Sequence, residues 1–383
     1  MTKSQWFDEG NPDFPLVPVY LLGKKNANKN KGMKENNLLS LSYGSIIRKN
    51  IDDTGGLRPD SFETYQVVQP GDTVLRFTDL QNDHKSLRSG LVTEKGIITS
   101  AYIGFRPYPQ MINPAYFAYT MRALDGMKAF YEMGSGVRQS LNWEEFSALY
   151  MPLPDLETQR RIADYLDKEI SEMDALIEEF EGLVRELETR KALLPDSKIN
   201  HQGLSVQTVP AKLLSRIKTG EGDTQDALED GEFPFYVRSD TVRASDRWTF
   251  EGPAVLTSGD GAGVGKIFHY TEGKFRAHQR VYVLMDFANV YPKYFYWCFQ
   301  TNFPRQVEHG GAKATVESVR MNMVADTPIP LPPLEKQQEI ADELDREFER
   351  MDALIEESTH LIENLKARKT ALITEVVTGR KEV

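Results

Sequence analysis

The chain is poor in the groups that usually carry chemistry. It has one cysteine in 383 residues, Cys298, so no disulfide can form within it. That suits a reducing, cytoplasmic setting. Lying in the aromatic run YFYWCFQ, Cys298 reads as a small buried apolar side chain. No stretch approaches the roughly 18 uninterrupted apolar residues of a membrane-spanning helix, so no membrane partner is expected. The opening residues MTKSQWFDEGNPDF lack an apolar core of the kind that marks a secretory leader. The six histidines, at positions 84, 201, 269, 278, 309 and 360, are scattered, and none has metal-ligand spacing. No nucleophile–base pair stands out. These absences point to a chain with no catalytic residues, no metal and no cofactor of its own.

Two short runs come near to known chemistry and miss it. Ser258-Gly259-Asp260-Gly261-Ala262-Gly263-Val264-Gly265-Lys266 has the glycine content of a phosphate-binding loop. Asp260 stands where the first glycine of that motif belongs, and Ile267 where Ser or Thr would follow the lysine. A Gly-rich turn between strands 254–257 and 266–270 is the expectation, either a plain turn or one whose backbone approaches nucleic acid closely. Asn11-Pro12-Asp13-Phe14 lacks the second proline of the Asn-Pro-Pro-aromatic motif of amino-methyltransferases, and no Gly-rich cofactor turn accompanies it.

What the chain does have is a repeat. Residues 152–194 read PLPDLETQRRIADYLDKEISEMDALIEEFEGLVRELETRKALL, and residues 330–372 read PLPPLEKQQEIADELDREFERMDALIEESTHLIENLKARKTAL. They align without a gap, and more than half of the positions are identical. A repeat fixes architecture, so it is read first. Each copy is a Pro-Leu-Pro lead-in, which excludes helix, followed by a long amphipathic helix. In the first copy Leu166, Ile170, Met173, Ile177, Phe180, Val184 and Leu187 alternate steps of four and three. Leu344, Phe348, Met351, Ile355, Ile362 and Leu365 keep that register in the second copy, with polar Ser358 at the position equivalent to Phe180. A 3.5-residue period marks a coiled-coil seam. About 38 residues per helix would make a rod of roughly 57 Å. An antiparallel pair, pseudo-twofold, is favoured, because it holds the intervening domains at a fixed separation. Pro195 is expected to stop the first helix.

Between and before the repeats lie two dissimilar stretches. The fold class is mixed α/β (α+β), with four parts: domain 1–151, helix 152–194, domain 195–329 and helix 330–383. Runs 37–43, 73–77 and 96–102 read as strands, and an amphipathic helix follows Asn113-Pro114. Tyr291-Pro292-Lys293-Tyr294-Phe295 matches Asn113-Pro114-Ala115-Tyr116-Phe117 at the spacing of the repeat, and Gly310-Gly311-Ala312-Lys313 compares with Gly134-Ser135-Gly136-Val137-Arg138. The second stretch is thus a divergent edition of the first. The basic, polar run GKKNANKNKGMKENN at 23–37 is expected to be a flexible loop, either solvated or contacting phosphates.

The net charge of −11 must be divided before it is used. Residues 152–194 hold twelve acids and six bases, and residues 330–383 thirteen and eight. The repeats therefore carry the whole imbalance, while the rest has 32 of each sign. A locally basic face on each domain remains open, and the acidic helices suit protein partners better than DNA.

The doubled pattern Pro-Leu-Pro-x-Leu-Glu-x-Gln, Ile-Ala-Asp, Met-Asp-Ala-Leu-Ile and terminal Arg-Lys resembles the DNA-specificity (S) subunits of type I restriction–modification systems over the whole chain. The resemblance implies two target recognition domains, each reading half of a bipartite double-stranded DNA sequence. It implies helices that set the spacer and dock two methyltransferase (M) subunits, which bind S-adenosylmethionine and methylate adenine N6. Restriction (R) subunits using ATP and Mg²⁺ would complete the assembly. The family carries over no universal base-reading residue. Side-chain chemistry suited to DNA gives as candidates Lys24, Lys25, Ser42, Tyr43, Arg48, Lys49, Arg76, Thr78, Lys85, Arg88 and Arg138 in the first domain. In the second they are Lys218, Arg238, Arg243, Ser258, Asp260, Lys266, Arg276, His278 and Lys313. The alternatives are a coiled-coil scaffold without a DNA role and a fragment of a fused methyltransferase or nuclease, the latter disfavoured by the missing cofactor motif.

Overall fold

The computed structural model describes residues 13–51, 61–80, 87–131, 133, 140–201, 206–309 and 318–383. Among them are six α-helices: α1 (Pro114–Gly126), α2 (Trp143–Ser147), α3 (Leu156–Asn200), α4 (Pro292–His309), α5 (Met321–Ala325) and α6 (Leu334–Val377). Two compact units form. One takes Met1–Glu181 and His360–Val383, the other Gly182–Thr359. The boundaries fall inside α3 and α6, so each unit combines a sheet domain with part of both long helices.

The first unit is built on a four-stranded antiparallel sheet in the order Gly23–Lys25, Ile103–Pro107, Thr73–Leu75, Ser89–Leu91. Helix α1 starts where the Asn113 side chain accepts from the backbone N–H groups of Ala115 and Tyr116, with Pro114 at the first turn. Its apolar face lies on the sheet, Phe117 stacking on Phe105 at 4.1 Å between centroids. The same core takes in Leu166, Ile170 and Met173 from α3 and Leu372, Ile373 and Val376 from α6. Lys369 pairs with Asp174 and Lys366 with Glu181, so the two helices run antiparallel here. Such exposed pairs contribute at most about 1 kcal/mol each; the buried seam carries the stability.

The second unit repeats the plan with a second four-stranded sheet. One sheet runs Arg216–Thr219, Val281–Met285, Ala254–Ser258, Phe268–Thr271. Another runs Arg243–Ser245, Phe233–Tyr236, Lys274–Ala277, Phe250–Glu251. Helix α4 buries the aromatic run Tyr294, Phe295, Trp297, Cys298, Phe299 and Phe303 with Leu344 of α6. Each such side chain contributes about 1.5–3 kcal/mol on burial. Cys298 is fully buried, and burial pushes its thiol up, away from reactivity. Arg190–Glu347 and Lys198–Glu343 pairs, with Lys191 beside Asp352, give the same antiparallel sense to α3 and α6.

The repeated lead-in has a structural reason that periodicity does not reveal. In the first unit Gln159, almost wholly buried, accepts from Asn113 N–H at 2.8 Å and donates to the Pro154 carbonyl at 2.8 Å. Tyr116 Oη donates to the Pro152 carbonyl at 2.9 Å. In the second, Gln337 accepts from Tyr291 N–H at 2.8 Å and donates to the Pro332 carbonyl, while Tyr294 Oη donates to the Pro330 carbonyl. The Gln of Pro-Leu-Pro-x-Leu-Glu-x-Gln ties the start of each long helix to the start of α1 or α4.

Two sequence expectations are corrected. Pro195 does not end α3, which continues to Asn200. The last turn is held by burial of Ile199, by Ser197 Oγ donating to the Leu194 carbonyl, and by Asn200 Nδ2 donating to Asp196 and Asn302. These offset the hydrogen bond that proline removes. Nor is 23–37 a loose loop. It opens with strand Gly23–Lys25, and two buried asparagines supply the missing partners. Asn26 Nδ2 donates to the Val67 carbonyl at 2.7 Å, and Asn30 exchanges hydrogen bonds with the Glu35 backbone.

Candidate nucleic-acid interface

In both units the central sheet strand runs out into a loop before returning as its hairpin partner. In the second unit that loop is the Gly-rich run, a turn between paired strands Ala254–Ser258 and Phe268–Thr271 as expected. Asp260 sits on it. Its Oδ1 accepts from Arg238 Nη1 at 2.9 Å, and its Oδ2 lies 3.6 Å from Arg280 Nε. The two arginines come from separate loops and remain 46% and 65% exposed at the side chain. Behind them His278 is buried, and its Nδ1 accepts from Arg280 N–H at 3.0 Å. That acceptor role requires the neutral ring. Burial and the Arg238 guanidinium, with Arg280 adding and Asp223 and Asp260 opposing, hold His278 below its ordinary pKa. Lys266 and Arg243 are exposed, as is Lys218, whose Nζ lies 6.0 Å from the Phe250 ring centre.

Three candidates of this unit prove to be fold contacts. Ser258 is buried, its Oγ donating to the Asp260 carbonyl at 2.9 Å. Arg276 points inward to Asp226 and the Ser245 hydroxyl, with Phe235 under its guanidinium. His278 acts on Arg280 from behind. Lys313 lies outside the described residues. Sequence reasoning missed Arg280, because nothing in the local pattern says which of Arg276 and Arg280 faces inward.

In the first unit the corresponding loop leaves strand Thr73–Leu75 and carries Arg76 and Thr78. Arg88 does not reach solvent. Fully buried, it donates from Nη1 to the Thr78 carbonyl at 3.0 Å and from Nη2 to the Asp79 carbonyl, shaping that loop from inside. Thr78 is exposed and Arg76 half-buried. Lys24, Lys25 and Lys49 are exposed, and Ser42 is half-buried. Tyr43 caps the hairpin Leu39–Ser42/Ser45–Arg48 at 75% exposure, with φ +45° followed by Gly44 at +82°. Arg48 stays 73% exposed at the side chain, its guanidinium paired at the surface with Glu94, which Asn37 also engages. Lys85 and Arg138 lie outside the described residues, as does the comparison of 134–138 with 310–313.

Asp125 of α1 braces Arg88, its Oδ2 accepting from Arg88 N–H at 2.7 Å, while its buried Oδ1 has no hydrogen-bond partner among the described residues. Burial pushes its carboxyl up to about 6. The folded pKa thus exceeds the unfolded one, so its stabilising contribution is complete below about pH 4 and is lost as pH rises through 6. Asp125→Asn is expected to stabilise the protein by about 1–2 kcal/mol at pH 7.5 and to remove the wild type's relative gain on acidification to pH 5. Thermal melts of both proteins at the two pH values check this; equal shifts in both would contradict it. His269 and His278 act with the opposite sign. Their lowered pKa values make stability fall as pH drops below the unfolded histidine value of about 6.5.

This plan, with its doubled helix and two loop-bearing domains, can be set against known proteins. The sequence profile described as "Type I restriction modification DNA specificity domain" matches residues 91–180 and 209–364, more than half of the chain. The chain belongs to the type I DNA specificity family. It is 29% identical over 173 residues to the type I restriction enzyme EcoDI specificity subunit of Escherichia coli. That match covers 45% of this chain and 38% of the relative, so the chain spans well under half of the curated relative's length in the match.

Among solved structures, the chain resembles one from a study of complex assembly and conformational transition of the type I R-M system. The TM-score is 0.71 at 15% identity, over 96% of this chain and 98% of that one. It also resembles the HsdS subunit from Thermoanaerobacter tengcongensis, with a TM-score of 0.60 at 14% identity, over 97% and 98%. These likenesses show a shared fold. Among the described residues, no group of three or more His, Cys, Asp or Glu side chains is placed to hold a metal ion, and no helix is long and apolar enough to cross a membrane.

Proposed function

We propose that this chain is the non-catalytic, DNA-reading subunit of a type I restriction–modification assembly. Each domain takes one half of a bipartite duplex target, and the long helices dock two methyltransferase subunits. Those partners bind S-adenosylmethionine and methylate adenine N6. Restriction subunits that use ATP and Mg²⁺ join the same assembly. The observation that carries the reading is the doubling itself. The same glutamine-centred network anchors both helices, while the residues that follow the inner strand differ in sequence, Arg76, Phe77 and Thr78 in one unit and the Gly-rich run 259–265 in the other.

The physics of target choice agrees. An adenine must leave the base stack to be methylated, and two weak half-site readers on one chain bind tightly only when both half-sites are correctly spaced. Two equal docking sites also have a basis. Leu176 and Leu183 of α3 occupy the same repeat positions as Leu354 and Leu361 of α6, and all four are exposed. Equivalent apolar positions on acidic helices suit two copies of one protein partner. As the test, inserting four residues within 160–190 is expected to change the length of the unread spacer while both half-site sequences persist. Altered half-sites with an unchanged spacer would refute the ruler.

A further inference from the structure

We infer that Arg280 reads a guanine in the half-site taken by the second unit, with Asp260 as the group that aims it. The inference rests on the DNA-reading role proposed above and assigns a base contact within it. Guanine offers two acceptors on its major-groove edge, O6 and N7, which match the two outer nitrogens of an arginine fork. Asp260 Oδ2 faces Arg280 at Nε. At 3.6 Å this is an ion-pair contact on the inner side of the guanidinium, and it leaves Nη1 and Nη2, the outer fork, without a hydrogen-bond partner among the described residues.

The main chain of Arg280 is fixed on both sides. Its N–H donates to His278 Nδ1, and its carbonyl accepts from Gly259 N–H at 2.7 Å. Gly259 is needed for that approach, since a Cβ there would lie 2.9 Å from the Arg280 carbonyl oxygen and 3.0 Å from the Tyr282 ring. Asp260 is itself held, through Ser258 Oγ on its carbonyl and a bridge to Ser318. Arg238 takes the other carboxylate oxygen, so the carboxylate cannot swing away from Arg280 without breaking that pair. A phosphate contact needs no such aim, because a point charge serves as well. Lys266 and Arg243, exposed and outside any ion pair among the described residues, suit phosphates better. An arginine fixed at its backbone and oriented by a carboxylate 3.6 Å from Nε, yet 65% exposed, suits a base edge.

The test uses the chain assembled with its methyltransferase partner and a panel of duplexes carrying each base pair at every half-site position. The wild-type complex is expected to demand a G·C pair at one position of the second unit's half-site. Arg280→Lys keeps the charge but loses the fork. It should lower discrimination at that single position by about ten- to a hundredfold while leaving the first unit's half-site unchanged. Asp260→Asn should relax the same position more weakly, and thermal melting of both variants separates misfolding from misreading. Undiminished discrimination in Arg280→Lys, or a second half-site with no G·C pair, overturns the assignment of Arg280 alone. A wild-type complex that methylates without sequence preference overturns the DNA-reading role as well.

Discussion

Replacing Leu176, Leu183, Leu354 and Leu361 together with aspartate is expected to abolish methyltransferase docking, and with it all methylation directed by this chain. The four side chains are 36–44% exposed, so each still rests partly on the fold, and stability must be read beside binding. In a docked complex the same changes would desolvate four carboxylates without counter-charges, on helices that are already acidic. Each buried, unpaired charge costs several kcal/mol, so affinity should fall by well over a hundredfold. Co-purification with the partner and melting of the free chain are the paired measurements. A variant that melts like the wild type and no longer co-purifies supports the docking face. One that melts normally and still binds would move the partner elsewhere.

The second large effect concerns sequence choice. Replacing residues 206–329 by the corresponding stretch of another member of the family should change one half of the methylated sequence completely and leave the other half intact. The reason is structural independence of the loops from the scaffold. Gln337, Tyr291 and Tyr294 join the second domain to α6 through backbone carbonyls and N–H groups, and the two loops that bear Asp260 and Arg238 lie outside that network. A domain can therefore differ at its loops while keeping its attachment.

The helices were legible because a 3.5-residue period depends only on local geometry, and because the chain states it twice. The seam residues Leu166, Met173, Leu344 and Met351 are buried as that period requires. The helix end at Pro195 was not legible. A proline's local cost was outweighed by tertiary contacts of Ile199 and Asn200 that no local rule contains. The candidate interface was legible only in part. Arg238, Asp260 and Lys266 fell among the expected residues and are accessible or charge-paired at the Gly-rich loop. Arg88, Arg276 and His278 have equally suitable side chains, but they are turned inward by partners distant in sequence: Thr78, Asp226 and Tyr236, whose carbonyl accepts from His278 N–H. The direction in which an arginine points is a property of packing, and only the fold reveals it.

The most direct test of the central claim is base-resolved sequencing of methylated adenines in host DNA, with the native chain, without it, and with residues 206–329 exchanged. The expected result is a two-part motif flanking a fixed unread spacer. It should vanish without the chain and return with one half altered after the exchange. A methylation pattern indifferent to the chain, or one in which the exchange leaves both halves unchanged, would contradict the account.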